Sequence, residues 1–127
     1  MIGIPTIEDQ TAETSDLERA RKSEKSLVID VRLKQEFNEG IIDAKNWLNI
    51  PHYEIRKFFN LSDDDFQKHF KRVKPSESTE IILYCRDGRR AQDGAMALFE
   101  LNYRQAKNYF AGLNGWIKEN RPVKRVV

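Results

Sequence analysis

The residues with the clearest chemical potential are one cysteine and the polar loop that follows it. Cys85 is the only cysteine of the 127-residue chain, and Arg86-Asp87-Gly88-Arg89-Arg90 come directly after it. A lone cysteine is by default a small buried hydrophobe. The arginines change that expectation, because positive charge stabilises the thiolate, which is the nucleophilic form. A single cysteine also excludes an intramolecular disulfide, a CxxC redox pair and a multi-cysteine zinc site.

The segments on either side of this loop determine how Cys85 is presented. Residues 80–84 form an apolar run typical of a strand, and apolar residues recur at helical spacing from Ala91 to about Asn102. Unpaired N–H groups and the dipole at a helix start favour negative charge. Gly88 permits the unusual backbone angles that an anion-binding nest needs. The sequence therefore predicts a loop that stabilises a thiolate or a persulfide anion at Cys85.

A purely structural interpretation of these residues stays open at this point. Cys85 could fill space at a strand end, and the arginines could form a solvated basic surface. Asp87-Gly88 could be a simple hairpin turn. The strand before the loop and the helix after it favour the functional interpretation.

The rest of the chain alternates short apolar runs with amphipathic stretches. We expect strands in five apolar runs, at residues 27–31, 41–42, 47–50, 80–84 and 107–110. We expect a helix at residues 15–23 with Ser15 as N-cap, and a second at 33–38 that ends at Gly40. A third helix is expected after the capping Ser62, with Val73 on its apolar face. Two more are expected, one directly after the loop that follows Cys85 and one near Trp116. This alternation predicts an α/β domain with a mostly parallel central sheet. Ligands bind such sheets at the carboxyl ends of the strands, where Cys85 lies.

The composition fits one domain and excludes several function classes. With 22 basic and 20 acidic residues, the net charge of +2 gives no reason to expect nucleic acid as a partner. No apolar run approaches the length that spans a bilayer, so no membrane partner is expected. Five acidic residues precede the first arginine, Arg19, which argues against a mitochondrial presequence. We expect a cytoplasmic protein, with a mitochondrial location open if a longer precursor is processed.

Three ordered motifs resemble those of the rhodanese family. The segment from Cys85 to Arg90 resembles the active-site loop C-x-x-G-x-[RST]. Asp30-Val31-Arg32, followed by Glu36-Phe37 and Gly40, is similar to D-V-R-x-x-x-E-[FY]-x-x-G-H-I, and Asn49-Ile50-Pro51 to the N-[IV]-P that follows. Residues 111–116 resemble the terminal G-G-x-x-x-W region. The resemblance covers about residues 4–120.

The resemblance implies a rhodanese-like fold with helices on both faces of the sheet. We expect a single domain at 1–127, in which residues 121–127 form a loose tail. Three positions depart from the family pattern. Ile41 replaces the histidine of G-H-I, Asp43-Ala44 replaces P-G-A, and Ala111 replaces one terminal glycine. These positions lie in scaffold turns and not in the loop.

The resemblance also implies a two-step sulfur transfer. The Cys85 thiolate takes sulfur from a small anionic donor such as thiosulfate, and an external thiol or cyanide then takes it from the Cys85 persulfide. Backbone amides from Arg86 to Arg90 hold the persulfide. Arg86 and Arg89 are the best candidates for attracting the donor, while Arg90 caps the loop. We expect no metal and no cofactor, and a monomer.

Two other functions remain as alternatives. Phosphatases and arsenate reductases on related folds use C-x5-R, but the sixth position after Cys85 is Ala91, and Arg90 comes one residue too early. The smaller ring suits a sulfur atom better than a tetrahedral oxyanion. A non-catalytic binding module is the second alternative, and the retained cysteine and arginines argue against it.

Several other polar or aromatic residues have simpler interpretations. Arg32 and Glu36 are one helical turn apart, which predicts an ion pair or a capping role. Asp30 is expected to be structural support. His52 and His69 have no partner pattern and are expected to be structural. Gly94 lies inside a predicted helix, where close packing on the sheet would explain it.

Overall fold

The chain is described by a computed structural model that covers residues 3–126. Seven strands follow one another as β1 Thr11–Ala12, β2 Leu27–Asp30, β3 Ile41–Ile42, β4 Trp47–Asn49, β5 Ile81–Tyr84, β6 Ala106–Tyr109 and β7 Val123–Lys124. Five α-helices lie between them, α1 Thr14–Ala20, α2 Ile55–Phe59, α3 Asp63–Phe70, α4 Arg89–Glu100 and α5 Gly112–Lys118. Two 3-10 helices span Lys34–Glu39 and His52–Glu54. Within residues 3–126, no helix has the length and apolar character needed to cross a membrane.

The central sheet has five parallel strands in the order β1-β6-β5-β2-β4. In the middle of it, Ile29 lies opposite Leu83 of β5 and Leu48 of β4. The two central strands are buried along their whole length, which explains their continuous apolar sequences. The predicted α/β fold with a mostly parallel sheet is confirmed.

Helices cover both faces of this sheet, as predicted. On one face, Ile29 and Leu83 pack in a core with residues of α2, α3 and α4. On the other face, Val28 and Ile82 pack with residues of α1 and α5. Successive residues of a strand point to opposite faces, so β2 and β5 contribute to both cores.

Several predicted element boundaries differ from the structure by one to three residues, and three differences concern the type, cap or end of a helix. Helix α1 has Glu13, not Ser15, as its N-cap residue, and the Glu13 N–H donates to the Asp16 carboxylate at 2.8 Å. The predicted helix over 33–38 is a 3-10 helix. Val73 is 75% exposed, because α3 ends at Phe70 and Lys71 takes a left-handed conformation. The predicted Ser62 cap is confirmed by a 3.1 Å bond from the Asp65 N–H.

The end of the chain, expected to be a loose tail, pairs with the rest of the fold. Strand β7 forms an antiparallel two-stranded sheet with β3, with Val123 opposite Ile42. The indole N–H of Trp116 donates to the Pro122 carbonyl at 2.7 Å. These contacts fix the segment just after the 3-10 helix that spans Lys34–Glu39. Residue 127, part of the expected tail, lies outside the described residues.

Candidate active site

The six predicted site residues lie together at the carboxyl end of β5. Cys85 directly follows the strand, and α4 begins at Arg89 with Gly88 as its N-cap residue. We call the segment from Cys85 to Arg90 the cysteine loop. Its strand-loop-helix arrangement agrees with the one inferred from hydrophobic patterning.

The sulfur of Cys85 has two polar neighbours. The Gly88 N–H donates to Sγ at 3.0 Å, and Asp87 Oδ1 lies 4.0 Å from Sγ. The Asp87 carboxylate also accepts from the Arg89 N–H at 3.3 Å. The Gly88 N–H is thus a hydrogen-bond donor to the sulfur, whereas the Asp87 carboxylate is a nearby acceptor. Cys85 itself is 0% exposed, so a reactant reaches its sulfur only when loop groups move aside.

Two glycines permit the close packing of the cysteine loop on the following elements. Gly88 has a φ of +89°, and a Cβ there would lie 2.4 Å from the Phe110 carbonyl oxygen. Gly112, at φ +67°, would place a Cβ 2.3 Å from the Arg86 carbonyl oxygen. No other residue type fits these positions without movement of the backbone.

Helix α5 holds the cysteine loop from the side. The Leu113 N–H donates to the Cys85 carbonyl at 2.8 Å, and the Asn114 N–H donates to the Arg86 carbonyl at 3.1 Å. These are orphan N–H groups of a helix start, and here they bind two loop carbonyls. The G-G-x-x-x-W-like segment therefore positions the backbone that carries the thiol.

Three amide side chains, of which Gln10 and Asn108 are buried and Gln92 is half-buried, support the loop through hydrogen bonds. Asn108, 0% exposed, donates through Nδ2 to the Gly88 carbonyl at 2.9 Å and to Gln92 Oε1 at 3.2 Å. Gln92 donates to Gln10 Oε1 at 3.0 Å, and Gln10 donates to the Ala95 carbonyl at 2.9 Å. This group was not predicted from the sequence. An asparagine and a lysine inside a short strand were its only signal.

The three arginines of the loop have different environments. Arg90 forms a two-bond ion pair with Glu36, at 2.7 and 3.1 Å. Arg86 lies 3.4 Å from Glu36 and also forms an ion pair with Glu39. The side chain of Arg89 is 88% exposed, and its ion-pair partner is Asp87, at 3.9 Å. No pattern in the sequence indicated Glu39 as a partner of the loop.

Both acidic residues of the 3-10 helix are strongly held as carboxylates. The hydrogen-bonded Arg90 guanidinium is the main cause that lowers the pKa of Glu36 from 4.5 to about 2. The Arg86 guanidinium lowers the pKa of Glu39. The same pairs raise the pKa of Arg86 and of Arg90 above the ordinary arginine value. All four groups therefore stay charged at neutral pH.

The predicted ion pair between Arg32 and Glu36 is wrong, but the predicted capping role is confirmed. Glu36 Oε1 accepts from the Leu33 N–H at 3.2 Å and so caps the 3-10 helix. Arg32 is fully buried and binds Asp30 through two N–H groups, at 2.8 and 3.0 Å. It also donates to the Gly40 carbonyl at 2.9 Å. Because Arg32 is buried, it binds the buried Asp30 carboxylate and not the Glu36 carboxylate four residues later.

Asp30 has the supporting position that the sequence predicted. Its carboxylate accepts from the Tyr84 hydroxyl at 3.1 Å, and that hydroxyl accepts from the Ile42 N–H at 3.0 Å. Burial raises the pKa of Tyr84 well above its usual value, so the hydroxyl remains a donor. Asn49 donates to the carbonyls of Asp30 and Arg32 at 2.9 and 2.8 Å. These bonds fix the carboxyl ends of β2 and β5 beside the loop.

The remaining residues singled out in the sequence have structural environments. His69 packs on Phe58 with ring centroids 4.5 Å apart, and Trp116 is buried in the core. The His52 ring is 4.0 Å from the Asp93 carboxylate. A Cβ on Gly94 would lie 2.9 Å from Leu83 Cδ2, which confirms close packing of α4 on the sheet.

A parallel sheet with a cysteine loop between strand and helix defines a rhodanese-type domain, and comparison with known sequences agrees. The profile of the Rhodanese-like domain matches residues 13–119. The chain therefore belongs to the rhodanese-like family, and the resemblance found in its motifs is confirmed.

Relatives of the chain include named sulfurtransferases. A Schizosaccharomyces pombe protein whose name describes a mitochondrial thiosulfate sulfurtransferase is 33% identical over 91 residues, covering 72% of this chain and 63% of that protein. Drosophila melanogaster rhodanese domain-containing protein CG4456 is 32% identical over 93 residues, covering 72% and 82%. The structure of the human single-domain sulfurtransferase TSTD1 has a TM-score of 0.77 at 25% identity, covering 87% and 96%. Relatives of the chain thus carry sulfurtransferase names, and the chain spans less than two thirds of the S. pombe protein.

Proposed function

We propose that the protein transfers sulfane sulfur from a small anionic donor to a thiol or cyanide acceptor, with Cys85 as the sulfur carrier. The observation that carries this proposal is the 3.0 Å hydrogen bond from the Gly88 N–H to the Cys85 sulfur at the start of α4. A space-filling cysteine needs no such bond. The sulfurtransferase names of relatives support the same reaction class.

The first step forms a persulfide. With thiosulfate as donor, the Cys85 thiolate attacks the outer sulfur, the S–S bond of thiosulfate breaks, and sulfite leaves with the electron pair of that bond. One negative charge remains on the new outer sulfur. That atom lies about 2 Å beyond Sγ, so it extends the reactive group away from the buried thiol. The backbone amides of the loop are the donors that stabilise it, as in an oxyanion hole.

The second step regenerates the thiolate. An acceptor thiolate or cyanide attacks the outer sulfur, the persulfide bond breaks, and its electron pair returns to Cys85. The products are an acceptor persulfide or thiocyanate. The acceptor must come from outside the chain, because Cys85 is its only cysteine. This is a covalent route with two half-reactions.

The size of the loop argues against phosphate chemistry as the alternative. Ala91, six residues after Cys85, is fully buried on α4, where a phosphatase loop would carry its arginine. Arg90 is bound to Glu36 and so is already occupied. We expect negligible hydrolysis of phosphate esters.

A cyanide-acceptor assay on the whole chain tests the proposal. Wild type is expected to form thiocyanate from thiosulfate and cyanide, and Cys85→Ala is expected to form none while unfolding at the same urea concentration. Mass spectrometry after incubation with thiosulfate alone should show one added sulfur on wild type only. Thiocyanate formation that survives in Cys85→Ala would overturn the mechanism. Wild type that never gains sulfur from any donor would favour a non-catalytic binding module.

The cellular compartment is part of the proposal as well. The cytoplasm and the mitochondrion are the two candidates, and the name of the S. pombe relative supports the mitochondrion. Fractionation of cells that express the tagged protein distinguishes the two.

A further inference from the structure

The two carboxylates that bind the arginines of the cysteine loop differ in how firmly they are held. Glu36 has a side chain that is 19% exposed, and it binds Arg90 by two hydrogen bonds and caps the 3-10 helix. Glu39 has a side chain that is 44% exposed, and Arg86 is its ion-pair partner. Glu36 is thus part of the scaffold, whereas Glu39 forms an exposed pair that solvent screens.

These carboxylates neutralise the positive charge of the loop arginines, which was expected to attract the anionic donor. Around the cysteine loop, three arginines face three carboxylates, with Arg86 paired to Glu39 and Glu36, Arg90 to Glu36 and Arg89 to Asp87. A dianionic donor therefore finds no guanidinium without a carboxylate partner among the loop arginines. Asp87 is the most exposed of these carboxylates, but it belongs to the cysteine loop and lies 3.9 Å from Arg89. Glu39 is an exposed carboxylate from outside the loop, and a donor that binds Arg86 must compete with it.

We propose that Glu39 sets the preference of the site for donor charge, because it competes with an anionic donor for the guanidinium of Arg86. The inference rests on the proposed sulfur transfer and names a specificity determinant for its first step. Binding of a dianion displaces Glu39 from Arg86, while Glu36 keeps Arg90 and the loop backbone in place. Glu39 acts through Arg86 and is not itself a catalytic residue.

The size of the effect follows from the exposure of the pair. Exposed ion pairs contribute little in water, so removal of Glu39 is expected to lower KM for thiosulfate roughly two- to five-fold. The gain should appear in KM far more than in kcat. It should disappear in about 1 M salt, where the screening length falls to about 3 Å. Loss of a merely structural contact would weaken the donor site and would not respond to salt in this way.

The test compares Glu39→Gln with a matched control, Glu100→Gln. Glu100 forms a similarly exposed pair with Arg56 at 3.1 Å, at the far end of α4 from the cysteine loop. Both variants remove one negative charge. KM for thiosulfate is measured for each at low and at high salt, with cyanide as acceptor. The double variant Glu39→Gln with Arg86→Gln shows whether the effect passes through Arg86.

The proposal is supported if KM falls in Glu39→Gln and not in Glu100→Gln. It also requires that the double variant has the same KM as Arg86→Gln alone. An unchanged or higher KM overturns it, and so does an equal fall in Glu100→Gln, which would indicate a general charge effect. Titration of thiosulfate by calorimetry into Cys85→Ala, with and without Glu39→Gln, measures binding without turnover. If wild type transfers no sulfur, the proposed function fails, while these dissociation constants still decide the role of Glu39.

Discussion

Replacing Glu36 by glutamine removes the charge that Arg90 and Arg86 share. Glutamine keeps the shape of the side chain and one acceptor oxygen, so the capping bond to the Leu33 N–H can persist. What is lost is the two-bond ion pair with Arg90, at 2.7 and 3.1 Å. The variant therefore isolates the electrostatic contribution of this carboxylate to folding.

The size of that contribution follows from the pKa of Glu36. A fall from 4.5 to about 2 on folding corresponds to about 3 kcal/mol of unfolding free energy at neutral pH, at 1.36 kcal/mol for each unit of pH. The side chain is 19% exposed, so solvent screens the pair only in part. We expect Glu36→Gln to lower the free energy of unfolding by about 2–3 kcal/mol at pH 7.

The loss should depend on pH in a defined direction. The folded-state pKa of Glu36 is lower than the unfolded one, so its stabilisation is complete above the unfolded value of 4.5. As the pH falls from about 5 towards 2, the carboxylate takes up a proton and the stabilisation disappears. The stabilities of wild type and variant should therefore converge at low pH.

Urea denaturation followed by far-UV circular dichroism between pH 7 and pH 2 measures both curves. Glu100→Gln, which breaks an exposed pair with Arg56, is the control and should change stability by less than about 1 kcal/mol. A difference between wild type and Glu36→Gln that stays constant over this pH range would refute the electrostatic argument. So would an equal loss in the control.

Two further substitutions examine the support of the cysteine loop. Gly88→Ala places a Cβ 2.4 Å from the Phe110 carbonyl oxygen, so sulfur transfer should fall about 100-fold or more as the N–H leaves the sulfur. Gly94→Ala in α4 meets only the end of the Leu83 side chain, at 2.9 Å, and should lower the rate much less. Asn108→Leu removes the amide bond to the Gly88 carbonyl and should lower both the transfer rate and the unfolding free energy, the latter by about 1–3 kcal/mol. Asn46→Leu is its control, because Asn46 also donates to backbone carbonyls and also has a buried, unpartnered Oδ1.

Each pair of variants has an outcome that contradicts the reasoning. Equal loss of rate in Gly88→Ala and Gly94→Ala would mean that any added methyl group on this helix disturbs the reaction. Equal loss of rate in Asn108→Leu and Asn46→Leu would trace the effect to stability alone. Transfer rates and urea midpoints from the same preparations distinguish these cases.

The fold was predictable where burial is continuous along the sequence. The β-branched run of β2 and the apolar run of β5 predicted central strands, and the helix after Gly88 followed from apolar spacing. Two-residue strands carry no periodicity, so only the apolar pair Ile41–Ile42 was predicted, whereas Thr11–Ala12 and Val123–Lys124 were missed. Strand β7 has only Val123–Lys124, and its pairing with β3 depends on contacts far away in the chain.

The candidate site was predictable in its residues and not in its charge pairing. Spacing rules describe neighbours within a helical turn, and they predicted that Arg32 would pair with Glu36. In the folded chain Arg32 is buried against Asp30, and Glu36 faces Arg90 from the other half of the sequence. Asn108 was missed for the same reason, since only the tertiary structure shows that its amide lies under Gly88.

The bonds between α5 and the cysteine loop have a consequence for the synthesis of the protein. The carbonyls of Cys85 and Arg86 depend on the N–H groups of Leu113 and Asn114, which leave the ribosome after them. At roughly 5–20 residues per second, the delay lasts on the order of seconds. During that time the cysteine loop lacks these two hydrogen bonds. The proposed ability to take up sulfur therefore arises only after the last helix has been made and docked.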